Sequence, residues 1–328
     1  MEGFAPEFTD TADFSRKITH RIWSERGVDR IRDYYAEDVI FRTSLNGISR
    51  GNEAVIANTL GVMHEFPDRR IFDEDFIWAE KKPGVFYNSH RLLSKMTQTG
   101  SGMFGPSTGR RVTTYTIADI MYRRNQAFNE YLVRDHAGVA RQLGQEPQEI
   151  AARMVAEDRA AGRTPPVGDG LVEIWADGSA SPPPEGKAAI YAGAMEGIWG
   201  KAALRLIRKH YHDEGLSHGP GPQYLRGPFE MERFAIGYLA AVPGAWFRLH
   251  HWVQHDAPDY PTRVSLRWSC VGEHAGAGAF GAPTGARVAI LGISQCEMWG
   301  DRVMREWHGI DDLSIWKQIE RHRADAAA

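Results

Sequence analysis

The sequence predicts an α+β fold written twice in tandem, and three observations carry that prediction. The first is an internal repeat. TGSGMFGPSTGRRV (99–112) and AGAGAFGAPTGARV (275–288) lie 176 residues apart, and eight of 13 positions from Gly100 to Val112 are identical. The same offset pairs Ile22–Trp23 with Ile198–Trp199, Tyr35 with Tyr211, Arg91 with Arg267, Glu130 with Glu306 and Asp135 with Asp311. The second is that each copy reads as helices first and β-rich runs afterwards, the order of an α+β unit. The third is a change of composition between the copies, which divides the chain into a first domain (1–146), a structured linker (147–187) and a second domain (188–328).

Each copy opens on an amphipathic helix. Phe14, Ile18 and Ile22 recur at i, i+4 and i+8, with Ile190, Ala194 and Ile198 at the matching places, and Asp10 or Thr11 is the candidate cap. A second helical stretch carries Val28, Ile31 and Tyr35, matched by Leu204, Ile207 and Tyr211. A third, NEAVIANTLGVMHEF or FEMERFAIGYLAAV, stops near Pro67 or Pro243, because proline cannot continue a helix. Strand patterns follow: GVFYNSHRLLSKM, RRVTTYTIADIMY and QAFNEYLVRD, against TRVSLRWSCVG, ARVAILGISQCEMW and DRVMREWHGID. Asn125 and Gly300–Asp301 are the hairpin turns. In the linker, QEPQEIAARMVAEDRAAGR reads as a polar helix, LVEIW as a short strand and SASPPPEGK as a stiff connector. The linker should pack on the domains, since Leu171, Val172, Ile174 and Trp175 are costly to expose.

Composition narrows the function classes. Lys+Arg 39 against Asp+Glu 42 gives a net charge of -3, and without a long basic run there is no electrostatic case for nucleic acid or an anionic membrane as partner. No apolar run reaches the length of a membrane helix, the N-terminus lacks a signal-peptide pattern, and a cytoplasmic location is expected. Cys270 and Cys296 form neither a CxxC nor a metal-spaced pair and read as small core residues. His251 and His255 in HHWVQH share a strand face about 13 Å apart, too far to ligate one ion, and no HExxH exists. The expectation is therefore no metal and no cofactor, with a small molecule as ligand or substrate.

The ordered motifs YYAEDV, SRG, EFPD, a strand bearing arginine, TG...G..TGRRV and D..GV.RQLG resemble the SnoaL-like polyketide cyclase (ester cyclase) family. That family belongs to the NTF2-like superfamily of cone-shaped α+β barrels, which also holds ketosteroid isomerase and limonene epoxide hydrolase. The resemblance spans roughly 14–144 and 190–320, and it implies a pocket between the concave sheet face and the helices. It also implies an acid/base aspartate on the last strand, assisted by a histidine on the strand before. Those places hold Leu132 and Ala118 in copy one, and His308 and Ser294 in copy two. Neither copy keeps the pair, so aldol ring closure is not carried over. Copy one is expected to supply stability and copy two chemistry.

In a strand, alternate residues share a face, so Glu306 and His308 lie together while Trp307 points away. The resemblance turns them into the pocket, with His308 as acid/base and Glu306 as its partner; a surface pair is the competing reading. His218, His274, Arg267, Trp199, Tyr211 and Ser294 are candidate substrate-binding residues around them. Arg91 and Arg267 suit a carboxylate or enolate oxygen, or alternatively fasten strand ends by pairing with Asp135 and Asp311. The glycine segment does not join a strand to a helix and so is not a phosphate loop. Asp38 and Glu65 are the one tempting acidic pair for epoxide chemistry, and copy two does not repeat it. Two functions stay open: general acid/base chemistry on a hydrophobic carbonyl or cyclic substrate (isomerase, cyclase or hydrolase type), and noncatalytic small-molecule binding or assembly. The two copies are expected to face each other through their sheets as an intramolecular pseudo-dimer, with further homo-oligomerisation open.

Overall fold

The computed structural model describes residues 1–45, 47–176, 181–221 and 223–327. The first unit opens with α1 (Thr11–Thr19), whose N-terminus is capped by the Asp10 carboxylate accepting from the Asp13 N–H at 2.8 Å, and runs on into a π turn at His20–Ser24. A short α2 (Ile31–Tyr34) follows. Next come β1 (Tyr35–Thr43), β2 (Gly47–Arg50), α3 (Asn52–Glu65), β3 (Arg70–Lys82), β4 (Val85–Thr97), β5 (Arg111–Arg123), β6 (Gln126–Arg134) and α4 (His136–Gln142). The linker supplies α5 (Pro147–Ala160) and α6 (Asp169–Ala176). The second unit repeats the series as α7 (Gly186–Met195), a π turn at Glu196–Gly200, α8 (Arg205–His210), β7 (Tyr211–Gly219), β8 (Gln223–Arg226), α9 (Gly227–Ala241), β9 (Trp246–His255), β10 (Thr262–Glu273), β11 (Arg287–Trp299), β12 (Arg302–Ile310) and α10 (Asp312–Ala326).

Both sheets have six strands in the same order, β2-β1-β6-β5-β4-β3 and β8-β7-β12-β11-β10-β9. In each, only the pairing of the first strand with the last is parallel. Arg124 and Asn125, both at positive φ, make the two-residue turn between β5 and β6, and Gly300 serves the matching turn. The repeated glycine segment is explained by contact. A Cβ on Gly100 would lie 2.1 Å from the His64 carbonyl oxygen, and one on Gly276 would lie 2.0 Å from that of Ala240, so each loop presses on the end of its helix as only glycine allows.

Three local expectations change. LVEIW lies in α6, because Leu171, Val172, Trp175 and Ala176 bury one helical face. Tyr35 and Tyr211 open strands rather than closing helices, and a short hairpin therefore separates the second helix of each unit from the third. β3 adds a long strand that GVFYNSHRLLSKM and its successors did not include. Part of the SASPPPEGK connector lies outside the described residues.

The sheets do face each other. One side of each strand lines its own cone, while the other buries Ile117, Tyr131 and Val133 against Leu291, Ile293 and Trp307, with α6 wedged beside them through Trp175. At the centre Ser89 and Ser265, matched across the repeat, meet Oγ to Oγ at 2.8 Å. Arg91 stacks 3.5 Å over the Trp307 ring and donates to Gln295 Oε1 at 2.6 Å. Arg267, its counterpart, stacks 3.4 Å over Tyr131 with Asp119 at 3.8 Å. This corrects both sequence readings of Arg267. The register pairs Ser294 with Leu266, so the neighbouring Arg267 points out of the cone, and neither arginine is ion-paired with Asp135 or Asp311. Those aspartates still fasten the units: Asp311 meets His136 at 2.7 Å and Asp135 accepts the Gly221 N–H at 2.5 Å.

Removing one partner of a buried ion pair strands the other's charge, at a cost of about 3–5 kcal/mol. Arg267→Ala should therefore destabilise the protein by that order, and adding Asp119→Leu should recover part of the loss; paired denaturant titrations of the single and double variants check this.

Candidate functional site

The cones have diverged inside. The first holds an open cavity of about 430 Å³, walled by α3, by the 101–104 loop with Met103 and Phe104, and by Met154 of the linker helix α5. Further in lies a smaller void of about 50 Å³ bordered by Tyr35, His90, Glu130 and Leu132. Arg69, Thr116 and Arg134 line both, so two guanidinium groups stand at the neck between them.

In the second cone the matching volume is full. Asn58, Val62 and Leu92 of the first unit correspond to Phe234, Tyr238 and Trp268, and Arg69 and Arg134 to Ala245 and Ile310. Trp199 packs on Trp268 with centroids 5.3 Å apart, and on Tyr238 at 5.7 Å. Gly292, matching Thr116, makes room for the Trp268 indole, which a Cβ there would approach to 2.4 Å. Bulk added at several separated positions has closed one pocket and left the other open.

Glu130 sits on β6 with 5% of its surface exposed. Burial pushes its carboxyl up to about 7, against the opposing pull of the Tyr35 hydroxyl and the Arg134 guanidinium. Arg69 is pushed down to about 9 by burial, with repulsion from Arg134 adding to it, so it remains a cation at neutral pH. Its Nε and Nη2 both donate to Ser94 Oγ, at 3.2 and 3.1 Å. His90 Nε2 lies 2.9 Å from Asp73, its ring stacks on Phe76 at 4.1 Å, and burial lowers its pKa. The inner end of the first cone thus collects a carboxyl poised near neutrality, a His–Asp pair and two cations.

The residues singled out in the second unit form a closed network. Glu306 accepts from Tyr191 at 2.6 Å, from Tyr211 at 2.9 Å and from Ser217 at 3.2 Å, and His308 Nε2 stands 2.9 Å from it off the hydrogen-bonding direction. Burial works to raise the Glu306 carboxyl, but His308 and the tyrosines hold it below the usual range. Ser294 joins the Trp268 indole N–H, at 2.9 Å, to His308 Nδ1 at 3.0 Å. The rings of Phe234 and Trp199 stand 5.5 and 5.9 Å from His308, and the void of about 20 Å³ that His308 also borders lies between the units, among Tyr115, Ile117, His218 and Trp307. Glu306 and His308 therefore share the inner face of the cone, as strand alternation required, enclosed by aromatic rings.

The remaining candidates scatter. His218 lies between the units, stacked 4.9 Å on Trp307 and 5.8 Å from Tyr115, and burial pushes it down to about 4. His274 is buried in the glycine loop against Thr284 at 3.0 Å, as Gln98 is against Thr108 at 2.9 Å in the first unit. Glu65 is occupied by the loop N–H groups of Met103 and Phe104, and Asp38 borders a different, outer groove, so they form no pair. Among the described residues no group of three or more His, Cys, Asp or Glu is placed to hold a metal. Sequence reading missed Arg69, His90, Glu130 and Arg134, although the alternation that placed Glu306 in its cone places its counterpart Glu130 in the other.

With this geometry established, the model of the SnoaL-like polyketide cyclase family matches residues 189–319. The second unit is a SnoaL-like domain. The first repeats the SnoaL-like topology strand for strand. Three solved structures similar to this chain each cover less than half of it. A "putative SnoaL-like polyketide cyclase" from Jannaschia sp. CCS1 is 14% identical over 43% of this chain and 96% of its own, with a TM-score of 0.37. A "putative polyketide cyclase" from Acidithiobacillus ferrooxidans is 17% identical over 44% and 99%, with a TM-score of 0.36. TsrD from Streptomyces laurentii is 18% identical over 42% and 99%, with a TM-score of 0.34. No curated protein matches the chain. No helix among the described residues is long and apolar enough to cross a membrane.

The two cones should titrate stability in opposite directions. The Glu130 pKa is raised on folding, so its stabilising share is full below about 4.5 and lost as pH climbs through about 7. That of Glu306 is lowered on folding, so its share is present above 4.5 and lost as pH falls through the folded value. Glu130→Gln should gain roughly 1–3 kcal/mol over the parent between pH 5 and 8. Glu306→Gln should lose stability at pH 7 and converge on the parent in acid. Thermal melts of the three proteins across pH 3–8 measure both.

Proposed function

We propose that the first cone is the working site, and that the protein is an enzyme applying general acid/base chemistry to a small, largely apolar carbonyl or cyclic substrate, with Glu130 as the proton-transferring group. The observation that carries this reading is the cavity itself. It ends at the two arginines, which also border the inner void where the buried Glu130 carboxyl lies, while the equivalent space in the second unit is packed with aromatic rings. A carboxyl near pH 7 has the pKa a general base needs, since it is ionised in part yet basic enough to take a proton. His90 with Asp73, on the facing strands, is the second group available to carry a proton at the same end. Isomerase-, cyclase- and hydrolase-type reactions all fit this equipment, and none calls for a cofactor. The second unit on this reading contributes the stabilising half.

A second reading keeps the chemistry at His308 and Glu306, supported by their 2.9 Å approach inside a SnoaL-like cone. Substitution separates the two once turnover is found in a screen of carbonyl compounds, lactones and epoxides. On the first-cone reading Glu130→Gln lowers kcat by about 10²- to 10⁴-fold, and the parent shows an acid limb near pH 7. His308→Gln lowers the melting temperature and leaves kcat within a few-fold. The reverse pattern moves the chemistry to the second unit. Ligands that raise the melting temperature without turnover would make this a binding protein.

A further inference from the structure

Resting on the reading that the first cone holds the ligand, we infer that this ligand carries a carboxylate, clamped between Arg69 and Arg134 at the neck of the cavity, with its apolar body lying in the outer 430 Å³. Both guanidinium groups line the outer cavity and the inner void, so an anion at the neck would meet both. Among the described residues neither has a carboxylate within ion-pair distance: Arg69 spends two N–H groups on a neutral serine hydroxyl, and the Arg134 guanidinium has Glu130 and Asp311 acting on it without a hydrogen bond to either.

Two like charges held together out of bulk water are unfavourable, and the fold does not require them. Ala245 and Ile310 fill the same places in the second unit and are buried. What the pair gains from a ligand is the missing counter-charge. A carboxylate offers two oxygens to two planar forks, the arrangement for which arginine is suited and lysine is not. A phosphate dianion is disfavoured at the same spot, because Glu130 lies just inside and is partly ionised at neutral pH. The outer walls complete the class of molecule. Met96, Met103, Phe104 and Met154 present a soft, adaptable apolar surface to whatever extends from the carboxylate. The substrate class is thus an amphiphilic carboxylic acid, with its carboxylate held beside the Glu130 proton-transfer site.

The test is calorimetric titration of the full chain at pH 7 with decanoate, 1-decanol and decyl phosphate, repeated on Arg69→Gln and Arg134→Gln. The inference predicts that decanoate binds about 10- to 100-fold more tightly than decanol, the range of a charge-assisted pair of hydrogen bonds. Each variant should bring decanoate down to the affinity of decanol, with a melting temperature no lower than the parent's to show that it still folds. Decanol binding as tightly as decanoate, or a decanoate preference that survives both substitutions, would overturn the carboxylate clamp while leaving the cavity as the ligand site. Decyl phosphate binding more tightly than decanoate would overturn the choice of head group. Failure of all three probes would overturn the clamp and the first-cone reading together.

Discussion

Everything in this molecule is arranged around the burial of the outer face of one sheet against the outer face of another. A curved sheet with helices on its concave side has a second side that must be covered, and here each unit covers the other's. That contact is not simply apolar. It contains two arginines, each laid flat on an aromatic ring of the opposite unit, with hydroxyl and amide groups between them. Guanidinium over a π face suits this setting, since the ring face attracts a cation that is removed from bulk water. The relative position of the two cones is fixed by these contacts, by α6 at the edge, and by the aspartate links at the strand ends.

A fixed outer contact leaves the inner faces free to differ. The strands that carry Tyr131 and Trp307 outward carry Glu130 and Glu306 inward, so the same backbone supports a buried interface and a variable cone. In one cone Trp268, Phe234 and Tyr238 have closed the space, and Glu306 has become the centre of a saturated hydrogen-bond network. In the other, smaller side chains leave Glu130 facing a void with one oxygen unpartnered. The same residue type at the same place is a structural anchor in one unit and a poised acid in the other, and hydrogen-bond saturation is what separates them.

Much of this was readable from the residues. The repeat gave two like units, and period-two alternation correctly grouped Glu306 with His308. The Asp10 cap and the Asn125 turn followed from local chemistry. What escaped was whatever depends on register or on summed volume. Arg267 reads as a cone residue or as a strand-end fastener alike, because nothing in a single strand says which face is inward; only its pairing with β11 decides that. LVEIW is too short for periodicity to separate strand from helix. The open cavity was missed for a different reason. Asn58 against Phe234, or Leu92 against Trp268, is an ordinary substitution in isolation, and only folding brings the differences to one point, where together they make a pocket.

The central layer also bears on why the two units are joined in one chain. In a symmetric homodimer every interface position occurs twice and must serve both places with one side chain. Here Arg267 faces Asp119 while its counterpart Arg91 faces Gln295, the residue that the repeat sets opposite Asp119. Gln295 also donates at 2.8 Å to Ser89, next to Ser265 on the pseudo-twofold axis, a hydrogen bond that an ionised carboxylate could not donate. Covalent linkage thus permits one copy of a position to be acidic and the other neutral, a break of symmetry that no pair of identical chains could encode.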